Sequence, residues 1–132
     1  MKRSAPWFYL AIALSQAAHS MEEQLTGFYR LFPSTTGSLH GRFAFIPVWD
    51  PGADGFAVVN MAIIAILLAL APFAFFDRAW ARRAAFFVAC IELVNGIGHL
   101  SVAIYLGRYF PGCAAGIGLI VFSALYLLAR RS

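Results

Sequence analysis

Long apolar segments dominate this chain and restrict what it can fold into. A helix needs about 20 mostly apolar residues to cross the hydrocarbon core of a bilayer, and four segments meet that length, at approximately residues 7–32, 55–76, 84–106 and 111–129. Charged residues make up only 12% of the 132 residues, against about 25% in an average soluble chain. The sequence therefore predicts a single domain of all-α class, an integral membrane bundle of four transmembrane helices in contact with lipid.

The connections between these segments differ in length. Pro33 is expected to end the first helix, because proline has no N–H to continue the hydrogen-bond ladder. Residues 33–54 are rich in Ser, Thr, Gly and Pro and predict a long loop, whose apolar side chains suggest packing over the bundle or on the membrane surface. The two later connections are short, which predicts that the last three helices are antiparallel neighbours.

The positions of the cations predict an orientation. Three arginines, Arg30, Arg42 and Arg108, fall on one predicted side of the membrane, and seven cations fall on the other: Lys2, Arg3, Arg78, Arg82, Arg83, Arg130 and Arg131. Cytoplasmic loops carry an excess of Lys and Arg, so both termini are expected in the cytoplasm, loop 33–54 outside it, and the protein in the inner membrane. Because the cations lie at the ends of apolar runs and not on one stripe, no nucleic-acid partner is expected.

The N-terminal segment also resembles a signal peptide. Lys2 and Arg3 precede an apolar run, and small residues follow at Ser15 and Ala17. The apolar pattern nevertheless resumes beyond Ala17. The segment is therefore interpreted as a retained helix.

Five ionisable residues fall inside the predicted spans: His19, Glu22, Glu23, Glu92 and His99. Such groups cost several kcal/mol each at the bilayer centre and usually mark functional sites. The first three have i, i+3, i+4 spacing, and the last two share a helix face with Asn95, so each set lies on one face of its helix. At 1.5 Å of rise per residue, Glu23 lies at the depth of His99, and His19 at that of Glu92 and Asn95. All six residues are therefore predicted to meet in one site near the membrane midplane.

Three interpretations of this polar set remain open. It can hold helices together through buried hydrogen bonds. It can bind a divalent metal such as Fe, Mn or Zn through His19, Glu23, Glu92 and His99, a ligand set that suits those ions. It can also perform metal-free acid–base chemistry or proton relay. In the two chemical interpretations, Glu22 and Glu92 are candidate catalytic bases, and Asn95 would orient a substrate or a histidine.

Three short motifs resemble those of a known family. The segment His19-Ser20-Met21-Glu22-Glu23 matches the motif of the HxxEE-domain family of small, mainly bacterial membrane proteins. Residues 95–99 resemble its Asn-x-x-x-His motif, and residues 109–112 resemble the aromatic Pro-Gly turn that follows. The resemblance implies that His19, Glu22, Glu23, Asn95 and His99 form one site, and it implies no particular reaction.

The combined expectation is a membrane-embedded enzyme that acts on a lipid or another hydrophobic small molecule entering from the bilayer. Two alternatives remain open. One is a proton-coupled small transporter or ligand-binding membrane protein, and the other is a metal-free isomerase or cyclase that uses acid–base chemistry.

Overall fold

The computed structural model describes residues 4–131, and all regular structure within that range is helical. The elements are α1 (Ala5–Thr26), a 3-10 turn (Phe28–Leu31), α2 (Phe32–Arg42), α3 (Gly52–Phe75), α4 (Ala79–Leu106) and α5 (Cys113–Arg131). The predicted all-α class is confirmed. Lys2, Arg3 and Ser132 lie outside the described residues.

Within residues 4–131, three helices have the length and composition of membrane spans: α3, α4 and α5. In the most apolar 18-residue stretch of each helix, only 22%, 22% and 28% of the residues, respectively, are buried within the protein. Their outward surfaces carry large apolar side chains such as Ile66, Phe87 and Val94. Surfaces of this kind are typical of helices that face lipid.

The first helix is shorter than predicted, because it ends at Thr26 and not near residue 32. Gly27 adopts a left-handed conformation (φ 74°), and its N–H bonds to the carbonyls of Glu23 and Gln24, which closes the helix. Pro33 does not end a helix but lies in the first turn of α2, where a missing N–H costs nothing.

The predicted loop 33–54 is wrong at both ends, because residues 33–42 belong to α2 and residues 52–54 belong to α3. Serine and threonine in α2 favour turns by sequence, yet their hydroxyls bond back to helix carbonyls: Ser34 to Leu31, Thr36 to Phe32 and Ser38 to Ser34. Such bonds satisfy the side chains without breaking the helix. The later boundaries shift less, since α4 begins at Ala79, before the expected residue 84, and α5 begins at Cys113, after the expected residue 111.

Most apolar side chains of the segment after α2 do not pack over the bundle. Phe43, Phe45 and Val48 are 50%, 84% and 55% exposed. Trp49 is 41% exposed and packs on α2, where its ring centroid lies 4.6 Å from that of Phe32 and its backbone N–H donates to Thr36 Oγ1. The expectation that this segment packs over the bundle is therefore wrong for Phe43, Phe45 and Val48.

Helix α5 is central to the bundle and packs against both α1 and α4. At the end of the bundle that contains both termini, Tyr9, Ile12 and Tyr126 pack among buried alanines. The Tyr9 hydroxyl donates a hydrogen bond of 3.0 Å to the carbonyl of Leu67 in α3. The polar residues of α1 and α4 lie toward the opposite end, where the turn between α4 and α5 meets them.

Candidate metal centre

Two histidines and one glutamate converge between α1, α4 and the α4–α5 turn. Glu23 Oε1 lies 3.4 Å from His19 Nε2 and 3.2 Å from His99 Nε2. The two imidazole rings meet edge to face with centroids 4.6 Å apart. All three residues are buried, and one ligand atom of each lies within 4.8 Å of the others. The predicted pairing of Glu23 with His99 at one depth is thus present in the structure.

Two consecutive backbone carbonyls orient the histidines. The Nδ1 of His19 lies 3.0 Å from the Gly112 carbonyl, and the Nδ1 of His99 lies 2.5 Å from the Pro111 carbonyl. A carbonyl only accepts hydrogen bonds, so both Nδ1 atoms must carry the proton. In the neutral imidazole the lone pair is then on Nε2, which in both rings faces Glu23. Histidine ligands of metals are commonly held by such a bond from the second ring nitrogen.

The centre brings together three atoms with lone pairs. When both histidines are neutral, the two Nε2 atoms and Glu23 Oε1 are all hydrogen-bond acceptors, and no donor lies between them. His19 Nε2 is accordingly buried without a hydrogen-bond partner. A proton or a metal cation between them removes this conflict. The distances suit a metal, because two ligand atoms about 2.1 Å from a tetrahedral ion lie roughly 3.4 Å apart.

Gly112 permits the close approach of the turn to both rings. A Cβ at this position would lie 2.5 Å from His19 Cε1 and 2.6 Å from His99 Nδ1, and the residue has a φ of 84° that other residues rarely adopt. The Pro111-Gly112 turn therefore supplies both carbonyls only because residue 112 has no side chain. Its role as a hydrogen-bond acceptor for both histidines was not predicted from the sequence.

Glu22 has a different role from its neighbour. Its carboxylate accepts hydrogen bonds from the backbone N–H groups of Ala114 (3.3 Å) and Ala115 (2.7 Å) and from the Tyr109 hydroxyl (2.5 Å). These N–H groups belong to the first turn of α5, where a carboxylate satisfies free donors and the helix dipole. The geometry thus makes Glu22 an anchor for α5, outside the His–Glu–His group.

Glu92 and Asn95 lie beside the centre but not in it. Glu92 is seven residues before His99, or about 10 Å along α4, and it is absent from the convergent group found among the described residues. Asn95 Nδ2 donates to Glu92 Oε2 at 3.3 Å. Glu92 is buried and within Coulombic range of His19 and Glu23. The arrangement therefore favours a role in charge balance or proton transfer over metal ligation.

Aromatic rings cover the outer side of the centre. Phe28 and Phe110 lie 5.1 Å and 5.6 Å from the His99 ring and 5.9 Å from each other. They separate His99 from the end of the bundle. The sequence does not assign either ring to the site, although Phe110 belongs to the third motif, because aromatic residues near a helix end are also typical lipid-interface anchors.

Other polar residues of α1 form a separate network on the adjoining part of its buried face. Gln16 Nε2 donates to Ser20 Oγ, which donates to Asn60 Oδ1 in α3 at 3.1 Å. This network joins α1 to α3 and borders an apolar cleft of about 350 Å³ between the two helices. It does not include the His–Glu–His group, and hydrogen bonds of this kind are typical of packed helices in membranes.

The fold and the centre together define an all-helical protein with membrane-type helices and a buried His–Glu–His group. The chain belongs to the HXXEE family, described as a protein of unknown function with HXXEE motif, whose family model matches residues 8–127. The resemblance inferred from the three motifs is thereby confirmed. No curated protein and no solved structure gives a significant match to the chain.

Proposed function

We propose that this protein is a membrane-embedded enzyme that binds a divalent transition metal through His19, Glu23 and His99. The single observation that carries this proposal is the convergence of two Nε2 lone pairs on one carboxylate, with each Nδ1 proton held by a backbone carbonyl. Two imidazoles and a carboxylate suit Fe, Mn or Zn. Three protein ligands leave a coordination position for substrate or water, as in catalytic sites.

The substrate is proposed to be a lipid or another hydrophobic small molecule. A bound metal would supply Lewis-acid or redox chemistry at the centre. The protein would hold the histidines in the metal-binding tautomer, exclude water through Phe28 and Phe110, and accept a proton on Glu92, whose Oε2 is held by Asn95. The location of the centre among membrane-type helices supports a substrate that enters from the bilayer, and four spans with cytoplasmic termini in the inner membrane belong to the same proposal.

Metal content of the purified protein tests the proposal directly. The protein is purified without a polyhistidine tag, and elemental analysis is expected to find close to one equivalent of metal. Glu23→Gln keeps the shape of the side chain but removes its charge, and is expected to lose the metal. Glu22→Gln is the matched change in the adjacent residue and is expected to keep the metal, because an amide oxygen still accepts hydrogen bonds from the first turn of α5 and residue 22 is not one of the three proposed ligands.

A second matched pair uses the histidines. His99→Ala is expected to lose the metal, whereas His40→Ala is expected to keep it, since His40 is exposed and bonds only to the Ile46 carbonyl. Metal retained in both His99→Ala and Glu23→Gln would contradict the proposal. A metal-free wild-type protein that cannot be loaded with Fe, Mn or Zn would instead favour acid–base chemistry, in which a proton lies between Glu23 and the imidazoles.

A further inference from the structure

A cleft lies next to the centre, at the end of the bundle where α1 and α4 end. Its volume is about 370 Å³. Four apolar residues form much of its wall, and two arginines lie at its edge: Leu31, Leu106, Phe110, Pro111, Arg30 and Arg108. We call this the outer cleft. It therefore combines an apolar wall with two positive charges.

The two arginines have no anionic partner in the part of the chain that the structure describes. Neither guanidinium forms an ion pair or a side-chain hydrogen bond among residues 4–131. Arg30 lies against Gly27, where a Cβ would come within 3.3 Å of its Nε. Glycine at that position therefore leaves room for the guanidinium beside the cleft.

The carboxylate of Glu22 bonds to Tyr109, which lines the outer cleft. Glu22 accepts the Tyr109 hydroxyl and two N–H groups of α5, and among the described residues it forms no ion pair with either arginine. Desolvation and the Glu22 carboxylate raise the pKa of Tyr109 to about 12. The phenol thus stays neutral near pH 7 and adds no negative charge to the cleft.

The outer cleft and the metal centre share a wall. The carbonyl of Pro111 accepts the Nδ1 hydrogen of His99, while Pro111 also lines the cleft. Phe110 lines the same cleft and packs against the His99 ring. A molecule in the cleft therefore lies one layer of residues from the histidines.

We propose that the outer cleft binds the phosphate monoester head group of a lipid, and that this lipid is the substrate of the adjacent centre. Two guanidinium groups match the nearly dianionic charge of a phosphate monoester, and their planar donors match its oxygens in pairs. The apolar wall accommodates the start of the lipid chain. Binding in the cleft stands on this geometry alone, whereas the role as substrate rests on the proposed metal enzyme.

Each arginine also has an ordinary structural role. Arg30 lies near the C-terminal end of α1, where a cation interacts favourably with the helix dipole. Arg108 lies in a turn at the predicted membrane surface, where arginines anchor helices. These roles predict a loss of stability on substitution but no preference for one head group over another, so a comparison of head groups separates them from the proposal.

Lipid binding can be measured by native mass spectrometry of the detergent-solubilised full-length protein. Phosphatidic acid is compared with phosphatidylcholine of the same acyl chains and with inorganic phosphate. Phosphatidic acid is expected to bind at least about tenfold more tightly than phosphatidylcholine, the effect of one charge-assisted hydrogen bond or more. The double variant R30Q/R108Q is expected to lose most of that preference.

Arg42→Gln is the matched control, because Arg42 is exposed at the end of α2, is assigned to the same side of the membrane and does not line the outer cleft. It is expected to keep the preference. Equal binding of the two lipids, or an equal loss in R42Q, would overturn the proposal. Inorganic phosphate that binds as tightly as phosphatidic acid would also overturn it, because the ligand would then need no lipid chain.

A second measurement separates this proposal from the metal proposal. Phosphatidic acid is bound to protein loaded with Mn²⁺, and the ³¹P resonance of the bound head group is recorded. The resonance is expected to broaden in the wild-type protein and not in Glu23→Gln, which is expected to lose the metal and whose side chain contacts the histidines without lining the cleft. A preference for phosphatidic acid without any metal binding would support lipid binding in the cleft and contradict only the proposed metal enzyme. Metal binding without that preference would contradict only the cleft.

Discussion

The two adjacent glutamates of the HxxEE motif have separate roles because of helix geometry. Consecutive residues on an α-helix point about 100° apart, so Glu22 and Glu23 face different neighbours. Glu23 shares a face with His19 one turn earlier and points to His99, whereas Glu22 faces the first turn of α5. The motif therefore supplies two ligands of the proposed centre, His19 and Glu23. It also supplies Glu22, which positions the turn whose carbonyls accept the Nδ1 hydrogens of the histidines.

The first prediction concerns Gly112. Gly112→Ala is expected to lose the metal, because the new methyl group would overlap both imidazole rings. The positive φ adds a backbone strain of about 1–2 kcal/mol. The helical content, measured by circular dichroism in detergent, is expected to remain near that of the wild type, while elemental analysis shows the loss.

Gly107→Ala is the matched control for this change. Gly107 also has a positive φ, of 61°, but a Cβ there would meet no atom within 4 Å. It therefore carries the same backbone strain without touching the histidines, and is expected to keep its metal. Equal metal content in the two variants would show that the turn does not position the centre.

The sequence predicts the residues of the centre better than their supports. Depth brings Glu23 to the level of His99, and the i, i+4 spacing adds His19 to the same face of α1, because charged groups in lipid must pair with one another. The same argument does not separate Glu92 from the ligands, since depth leaves the rotation of each helix open. The carbonyls of Pro111 and Gly112 follow from the backbone conformation of a turn, which residue types alone do not specify.

Helices α4 and α5 approach each other closely at Gly96 and Gly116. A Cβ on Gly96 would lie 2.5 Å from the Gly116 carbonyl and 2.9 Å from Ile120 Cγ1. Small residues that allow such close approach are typical of helix pairs in membranes. This crossing holds α4 at the distance at which His99 reaches the turn before α5.

The second prediction tests that crossing. Gly96→Ala is expected to destabilise the bundle by about 1–3 kcal/mol, as overpacking usually does, measured as thermal unfolding in detergent. Gly98→Ala lies two residues away on the same helix, where a Cβ meets no atom within 4 Å. It is expected to be neutral or mildly stabilising, by up to about 1 kcal/mol. A similar loss in both variants would indicate a helix-wide effect and no specific contact.

The sequence predicts the helices better than the segment between α1 and α3. Long apolar runs specify α3, α4 and α5 to within a few residues, because their composition leaves lipid contact as the stable arrangement. The end of α1 depends on one left-handed glycine, Gly27, and α2 depends on hydroxyl groups that bond to helix carbonyls. Both features depend on the local backbone conformation, which the hydropathy of the sequence does not predict.

The number of helices that cross the membrane depends on whether α1 spans it. Its composition is less apolar than that of the three candidate spans. Its polar residues Gln16, His19 and Glu23 are nevertheless buried, while Trp7, Leu14, Met21 and Leu25 are 63%, 55%, 65% and 80% exposed. The surface that α1 presents outward is therefore apolar, and its 22 residues extend for about 33 Å, slightly more than the hydrocarbon core.

The third prediction is that α1 spans the membrane, so that both termini lie in the cytoplasm and α2 lies outside. The test uses Cys90→Ser and Cys113→Ser as a background, with single cysteines introduced at Ser4, Ser38 and Ser132 and labelled by a membrane-impermeant maleimide. Ser38 lies in α2 and is exposed, so its cysteine is expected to label in intact cells. The cysteines at Ser4 and Ser132 are expected to label only after permeabilisation, because most cations lie on their side.

The comparison of Ser4 with Ser38 is the decisive one. Three spans formed by α3, α4 and α5 would already place Ser38 and Ser132 on opposite sides, so that pair tests the orientation of those helices alone. Only a spanning α1 places Ser4 and Ser38 on opposite sides. If both label from outside, α1 does not cross, and His19 and Glu23 would then lie at the membrane surface, where water supplies partners for charged groups. The physical argument for a metal between them would lose its basis, because it depends on the absence of those partners.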